Sequence, residues 1–215
     1  MSKQTVIVSG GMVEKDFALS ILKSEETEFV IGVDRGLVFL YDNEIKPDYI
    51  VGDFDSVRPE VLEEYRNMGI SIRQFPTHKN ETDMQLGMLL ALELGVTELV
   101  LIGGIGDRFD HTLANAHLLL YLLKKGVRGI LVNEKNRVEL IDKEVTLYGK
   151  AGDLVSTIPL SMQVEGVTLE GLEYPLVDYD LALDDKLVAV SNVMTGTEAK
   201  VKIRKGYLFV MQTRD

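Results

Sequence analysis

The chain has 215 residues, 46% of them hydrophobic, with no Cys, no Trp and a formal net charge of −11. That composition buries a real core, excludes disulfides and thiolate chemistry, and offers neither half of the chain the basic surplus that a nucleic-acid backbone requires. The longest unbroken apolar run, Leu118–Leu123, is far too short for a membrane span, and the polar start lacks a secretory core, so no membrane partner and a cytoplasmic location are expected.

Up to about Asn133, short β-branched runs alternate with helical patterns. The strands are expected at Thr5–Val8, Phe29–Val33, Tyr49–Val51, Ile70–Phe75, Glu98–Ile102 and Gly129–Val132. Amphipathic stretches at Phe17–Lys23, Pro59–Met68 and Met84–Leu94 lie between them, followed by a clear helix at Asp110–Lys125 that Asp110 can cap and Gly126 can end. Strands this apolar, alternating with helices, predict an α/β domain: a parallel sheet with helices on both faces. After Arg137 the pattern becomes short strands at Val138–Ile141, Val145–Leu147, Leu154–Ile158, Leu187–Val190, Val201–Ile203 and Tyr207–Gln212, with no convincing helix. A small all-β sandwich or barrel is expected there, giving domains 1–133 and 134–215.

In an open parallel sheet, ligands bind beyond the carboxyl ends of the strands. Five successive strand ends carry glycines and acids: Ser9-Gly10-Gly11, Asp34-Arg35-Gly36, Gly52-Asp53-Phe54-Asp55-Ser56, Pro76 to Asp83, and Gly103-Gly104-Ile105-Gly106-Asp107-Arg108-Phe109-Asp110-His111. Glycine lets a backbone approach a ligand, and Asp is a hard oxygen donor. Asp53 and Asp55, two apart, point the same way in extended backbone; at ~4 Å such a pair repels by up to ~4 kcal/mol at an effective dielectric of 20, which proton uptake or a metal relieves. Asp83 falls at a helix start, where Asn80 can cap and where an acid is favoured on its own account. Arg108, just before a helix N-terminus, makes a phosphate cradle with the glycines. His111 is either a ligand contact or a hydrogen-bonded scaffold, His78 reads as a loop residue, and His117 is expected in the core. The glycine loop fits neither a dinucleotide fingerprint nor a Gly-x-x-x-x-Gly-Lys-Ser/Thr loop. Glycine loop, cationic side chains and convergent aspartates together point to metal-assisted phosphoryl transfer, with magnesium the best fit. The residues alone do not give the substrate. They leave open a kinase for a small alcohol that yields ADP, or a non-catalytic nucleotide sensor.

Gly52-Asp53-Phe54-Asp55-Ser56, Glu81-Thr82-Asp83 and Gly106-Asp107-Arg108-Phe109-Asp110-His111, following Asp34-Arg35-Gly36, resemble the thiamin pyrophosphokinases. The resemblance continues through Gly166–Leu176 and Ser191-Asn192 and so covers nearly the whole chain. It implies transfer of a pyrophosphoryl group from ATP to the hydroxyl of thiamin, giving thiamin diphosphate and AMP, with Mg2+ held by Asp53, Asp55 and Asp83. By the same resemblance Arg108 and Asp110 join these acids as catalytic residues. Asp34, Arg35, Gly36, Lys79, Thr82, Gly103, Gly104, Gly106 and His111 are expected around the nucleotide, and Ser191 and Asn192 beside thiamin. A homodimer whose active sites are shared between chains is also implied. The chain departs from the family pattern at Asn80, at Glu173 and in lacking a Trp to cover the thiamin ring, so another side chain must do so.

Overall fold

The computed structural model describes residues 3–55, 57–76, 80–187 and 189–215. The chain divides into two compact units, Met1–Glu134 and Lys135–Asp215.

The first unit runs β1 (Gln4–Val8), α1 (Lys15–Leu22), β2 (Thr27–Val33), α2 (Gly36–Asp42), β3 (Tyr49–Gly52), α3 (Pro59–Asn67), β4 (Ser71–Gln74), α4 (Asp83–Glu93), β5 (Glu98–Ile102), α5 (Phe109–Lys124) and β6 (Arg128–Val132). Its strands pair in parallel in the order β6-β5-β1-β2-β3-β4. Alternation along each strand sorts the core by face. Val6, Val8, Val30, Val100, Ile102 and Ile130 pack with Ala18 and Leu22 of α1, while Leu37 of α2, Ile50 of β3 and Val61 and Tyr65 of α3 form a neighbouring cluster. On the other face, Gly87 of α4 lies against Ile7 and Val33, and Gly129 lies under Leu119 and Leu122 of α5. Helices therefore cover both faces, as expected of a parallel sheet with strands this apolar.

The helix ends correct two expectations. Thr82, not Asn80, caps α4: its hydroxyl accepts from the Gln85 backbone N–H at 3.3 Å and the Gln85 side chain accepts from the Thr82 N–H at 2.7 Å, a reciprocal capping box. Asp110 does not cap α5 either; Arg108 stands at the N-cap and Asp110 lies in the first turn. The C-terminal end is as read, with Gly126 at φ 76°, its N–H donating to Leu123 and that of Val127 to Leu122. His117 is exposed, because the buried stripe of α5 runs through Asn115, Leu119 and Leu122 instead. The helix α2 was not foreseen; its seven residues are too few to display a period.

The second unit consists of β7 (Asn136–Ile141), β8 (Glu144–Tyr148), β9 (Leu154–Pro159), β10 (Gln163–Glu170), β11 (Leu176–Ala182), β12 (Asn192–Val193), β13 (Glu198–Lys202) and β14 (Leu208–Thr213). Antiparallel strands β12-β9-β14-β7 and β11-β10-β13-β8 enclose one core that includes Ile141, Leu147, Val155, Val164, Val167, Leu181, Val201 and Leu208. This is the expected β-sandwich. Two strands, β10 and β11, had no counterpart in the sequence reading. Of the strand expected at Leu187–Val190, Val188 lies outside the described residues and the other three are not in a strand; the pairing there is that of Asn192–Val193 with Leu154–Val155. Among the described residues no helix is long and apolar enough to cross a membrane.

Candidate functional site

Strand order reverses between β1 and β5, and a cleft of about 960 Å³ opens there at the carboxyl ends of the strands. That volume is at the large end of the range for small-molecule sites. Ser9-Gly10-Gly11, Asp34-Arg35, Thr82-Asp83, Gly103-Gly104 and Gly106 to Arg108 line it, with His111.

The glycines have two different reasons to be there. A Cβ on Gly11 would stand 2.1 Å from the Gly103 carbonyl oxygen, one on Gly103 2.4 Å from the Ser9 oxygen, and one on Gly36 2.1 Å from the Val8 oxygen. These three let neighbouring strand-end loops touch backbone to backbone, and the Ser9 hydroxyl donates to the Gly103 carbonyl at 3.0 Å. Gly106 differs. Among the described residues only the Met12 nitrogen, at 3.8 Å, lies near its missing Cβ, and Gly106 lines the cleft.

Two residues that the sequence reading missed hold the loop after β5. Asn115, buried among the apolar side chains of α5, donates from Nδ2 to the Gly104 carbonyl at 2.8 Å. Thr112 accepts from the Gly106 N–H at 3.1 Å and donates back to its carbonyl at 3.3 Å. A polar Asn on the buried stripe of an otherwise apolar helix was the available signal for the first. The first turns of α5 thus fix the glycine loop that precedes the helix.

The acids converge as a trio. Asp34, Asp53 and Asp55 each offer a carboxylate oxygen, all within 4.8 Å of one another. Asp83 lines the same cleft but is not in that group. The loop after β3 is not extended: Phe54 adopts φ 64° and buries its ring among Leu37, Ile50, Val57 and Val61. A non-glycine residue in that region costs roughly 1–3 kcal/mol, which the buried ring offsets. The Asp55 N–H donates to Asp53 Oδ1 at 3.1 Å, curling the two acids together. Three carboxylates this close repel, and their hard oxygens suit Mg2+, so the donor set fits the ion.

Arg108 donates to both oxygens of Asp110, from Nε at 3.2 Å and Nη2 at 2.7 Å. That bidentate bond holds the Asp110 carboxyl below the usual carboxylate range and the Arg108 guanidinium above its own. Lys79, expected near the nucleotide, lies outside the described residues, as do Ser56 and His78.

The pair expected beside thiamin lies in the second unit. Ser191 is exposed at φ 55°, its N–H donating to the Ser156 hydroxyl at 3.0 Å. Asn192 is buried. Its Oδ1 accepts from the Tyr174 N–H at 3.0 Å and from the Val193 N–H at 2.9 Å, and its Nδ2 donates to the Tyr174 carbonyl at 2.7 Å.

A cleft at a switch point, walled by glycine loops, arginines and clustered acids, belongs to the class of α/β sites that can take an anionic ligand together with a divalent cation. The family model described as Thiamin pyrophosphokinase, catalytic domain, matches residues 22–131, and Thiamin pyrophosphokinase, vitamin B1 binding domain, matches residues 139–208. Thiamine pyrophosphokinase of Bacillus subtilis (strain 168) is 28% identical over 194 residues, which cover 89% of this chain and 90% of that protein. Thiamine pyrophosphokinase 1 of Arabidopsis thaliana is 25% identical over 183 residues, 80% of this chain and 67% of that one. Among solved structures, the Bacillus subtilis thiamine pyrophosphokinase superposes with a TM-score of 0.88 at 28% identity, covering 99% of this chain and 100% of the other. That of Geobacillus thermodenitrificans gives 0.84 at 26% identity, covering 99% and 98%. The chain belongs to the thiamin pyrophosphokinase family.

Proposed function

We propose that this chain transfers a pyrophosphoryl group from ATP to the hydroxyl of thiamin, yielding thiamin diphosphate and AMP. The observation that carries the reading is that both domains of the family match in order along one chain, the first over the cleft-bearing unit. The thiamin hydroxyl oxygen forms a bond to the β-phosphorus while the bond from that phosphorus to the α-phosphate oxygen breaks. AMP leaves with the electron pair of that bond, and the hydroxyl proton passes to solvent water as the new bond forms. Such transfer has a loose transition state, so positioning and charge neutralisation matter more than a strong base.

Asp34, Asp53 and Asp55 would hold Mg2+, with Asp83 lining the same cleft, and the ion would neutralise phosphate charge. The Arg108 fork grips phosphate oxygens, and Gly103, Gly104 and Gly106 bring backbone N–H groups close. Asp110, kept ionised by Arg108, is a poor proton acceptor; its work is to aim the guanidinium. Thr82, whose hydroxyl caps α4, holds Asp83 in the first turn of that helix. Arg35, Gly36, Lys79 and His111 complete the nucleotide surround. Ser191 and Asn192 belong to the thiamin side. The protein works as a cytoplasmic homodimer whose active sites are shared between chains. Mixing an Asp53→Asn chain with one altered at Ser191 and Asn192 should then restore up to about a quarter of normal activity in random heterodimers.

The deciding experiment is the nucleotide product formed with thiamin, ATP and magnesium. AMP in equal yield with thiamin diphosphate is expected. ADP, or no nucleotide turnover, would sink the assignment.

A further inference from the structure

Arg58 stands three residues beyond Asp55, at the N-cap position of α3, where its side chain makes no capping bond. The guanidinium instead reaches across to α2. Its Nη2 donates to Asp42 Oδ1 at 2.5 Å, and its Cζ lies 5.7 Å from the centre of the Tyr41 ring. Tyr41 is itself held by its hydroxyl, which donates to Glu64 at 2.5 Å. Arg58 and Asp42 both line the cleft, with side chains 46% and 53% exposed. An ion pair so open to water contributes little to stability, so exchanging its partner costs little.

Arg108 presents the same arrangement at the loop after β5, paired with Asp110 and exposed alike. Two arginine forks of one cleft each rest on an aspartate. The cleft also carries Asp34, Asp83 and Asp107, so a polyanion entering it needs every cation the walls can offer.

We propose that Arg58 is a second arginine grip on the phosphate chain of the donor nucleotide, exchanging Asp42 for phosphate oxygens as the nucleotide binds. The inference rests on the cleft being the nucleotide site, as proposed above. A planar fork bonded to phosphate makes a stronger contact than the single bond to Asp42. Tyr41 and Asp42 keep the fork at the cleft wall when no nucleotide is present, which limits the ordering cost of binding. Against this stands a purely mechanical role, in which Arg58 ties the loop after β3 to the end of α2.

The two roles give Asp42→Asn opposite consequences. Titrating the full chain calorimetrically with α,β-methylene ATP and magnesium, and separately with AMP, distinguishes them when melting temperatures are recorded alongside. Arg58→Ala should weaken the triphosphate analogue at least about tenfold and AMP much less. Arg58→Lys, which keeps the charge and loses the fork, should fall between. Asp42→Asn frees the guanidinium and should leave analogue affinity unchanged or tighter, with an unchanged melting temperature. Equal losses of affinity and melting temperature in Arg58→Ala and Asp42→Asn would reduce Arg58 to a tie. Equal weakening of AMP and the analogue by Arg58→Ala would assign it to the nucleoside, and unchanged affinity for both would remove it from the site. Each of these overturns the proposal. A wild-type protein that binds neither probe would instead refute the nucleotide-site reading.

Discussion

The acid trio of the first unit and the Ser191-Asn192 segment of the second were both singled out as ligand contacts, and the fold treats them differently. Asp34, Asp53 and Asp55 come from two strand ends and bring their oxygens together beside the cleft. Asn192 turns inward, and its amide fastens both the N–H and the carbonyl of Tyr174. A polar motif can therefore mark a place where the protein meets a ligand, or a place where it braces a neighbouring loop. Burial and hydrogen-bond partners separate the two cases; spacing in the sequence does not. The braced residue is informative in its own way, since Tyr174 is 64% exposed while its backbone is held at both polar atoms.

The sharpest way to break the comparison is to neutralise one member of the trio. Asp53→Asn keeps the shape and removes a charge, so turnover should fall more than about 100-fold while the melting temperature holds or rises, because repulsion is relieved. Near-normal turnover at limiting magnesium would return Asp53 to ordinary loop chemistry.

The glycines sharpen the contrast between bracing and binding within a single cleft. Gly11→Ala forces a methyl against the Gly103 carbonyl and should destabilise the protein by about 1–3 kcal/mol, read from denaturant unfolding. Gly106→Ala meets no such obstacle. Its stability should match wild type, and only its affinity for nucleotide should drop. A destabilised Gly106→Ala with normal nucleotide affinity would reverse the assignment of the two positions.

Asn192→Ala leaves the Tyr174 N–H and carbonyl without their partner and should cost about 1–3 kcal/mol of stability. Turnover measured well below the melting temperature should keep its normal Michaelis constant for ATP. If stability is untouched and only the constant for thiamin rises, Asn192 is a direct contact and the contrast drawn above fails on that side.

The smallest effect concerns the support beneath the acid loop. Burial, assisted by nearby Glu64, Tyr41 and Asp42, pushes the Tyr65 hydroxyl from 10.0 up to about 12. The folded state thus prefers the neutral phenol, so this contribution is complete below pH 10 and is lost as pH rises towards 12. Melting temperature should decline across that window in wild type and less in Tyr65→Phe, with phenolate absorbance reporting the ionisation. Identical pH profiles would show that Tyr65 does not couple to folding.

Much of this was legible because strands announce their own ends. Apolar β-branched runs fixed five sites at which glycines and acids had to emerge, and the parallel order gathered them along one edge of the sheet. The pairing of Asp53 with Asp55 was read correctly for the wrong reason, since extended backbone was assumed where Phe54 turns left-handed. Strand β10 stayed hidden because Gly166 interrupts it, whereas in β11 Asp178 and Asp180 alternate with Val177, Tyr179 and Leu181, a period-2 signal that the reading passed over. Those two acids bond Arg204, a long-range partner that no local pattern shows. His117 was misplaced because α5 is leucine-rich on several faces, which blurs the buried stripe.

The buried Phe54 ring has a consequence for how the protein fails. Because one side chain is both part of the α2–α3 cluster and the hinge between two acids, the geometry of the acid trio has no independent rigidity. Loosening of that cluster by heat, alkali or a cavity at Val61 would scatter the acids before the sheet itself gives way. The rate of irreversible inactivation should then follow exchange of the amide hydrogens in α2 and α3, and be indifferent to those in β1 and β5.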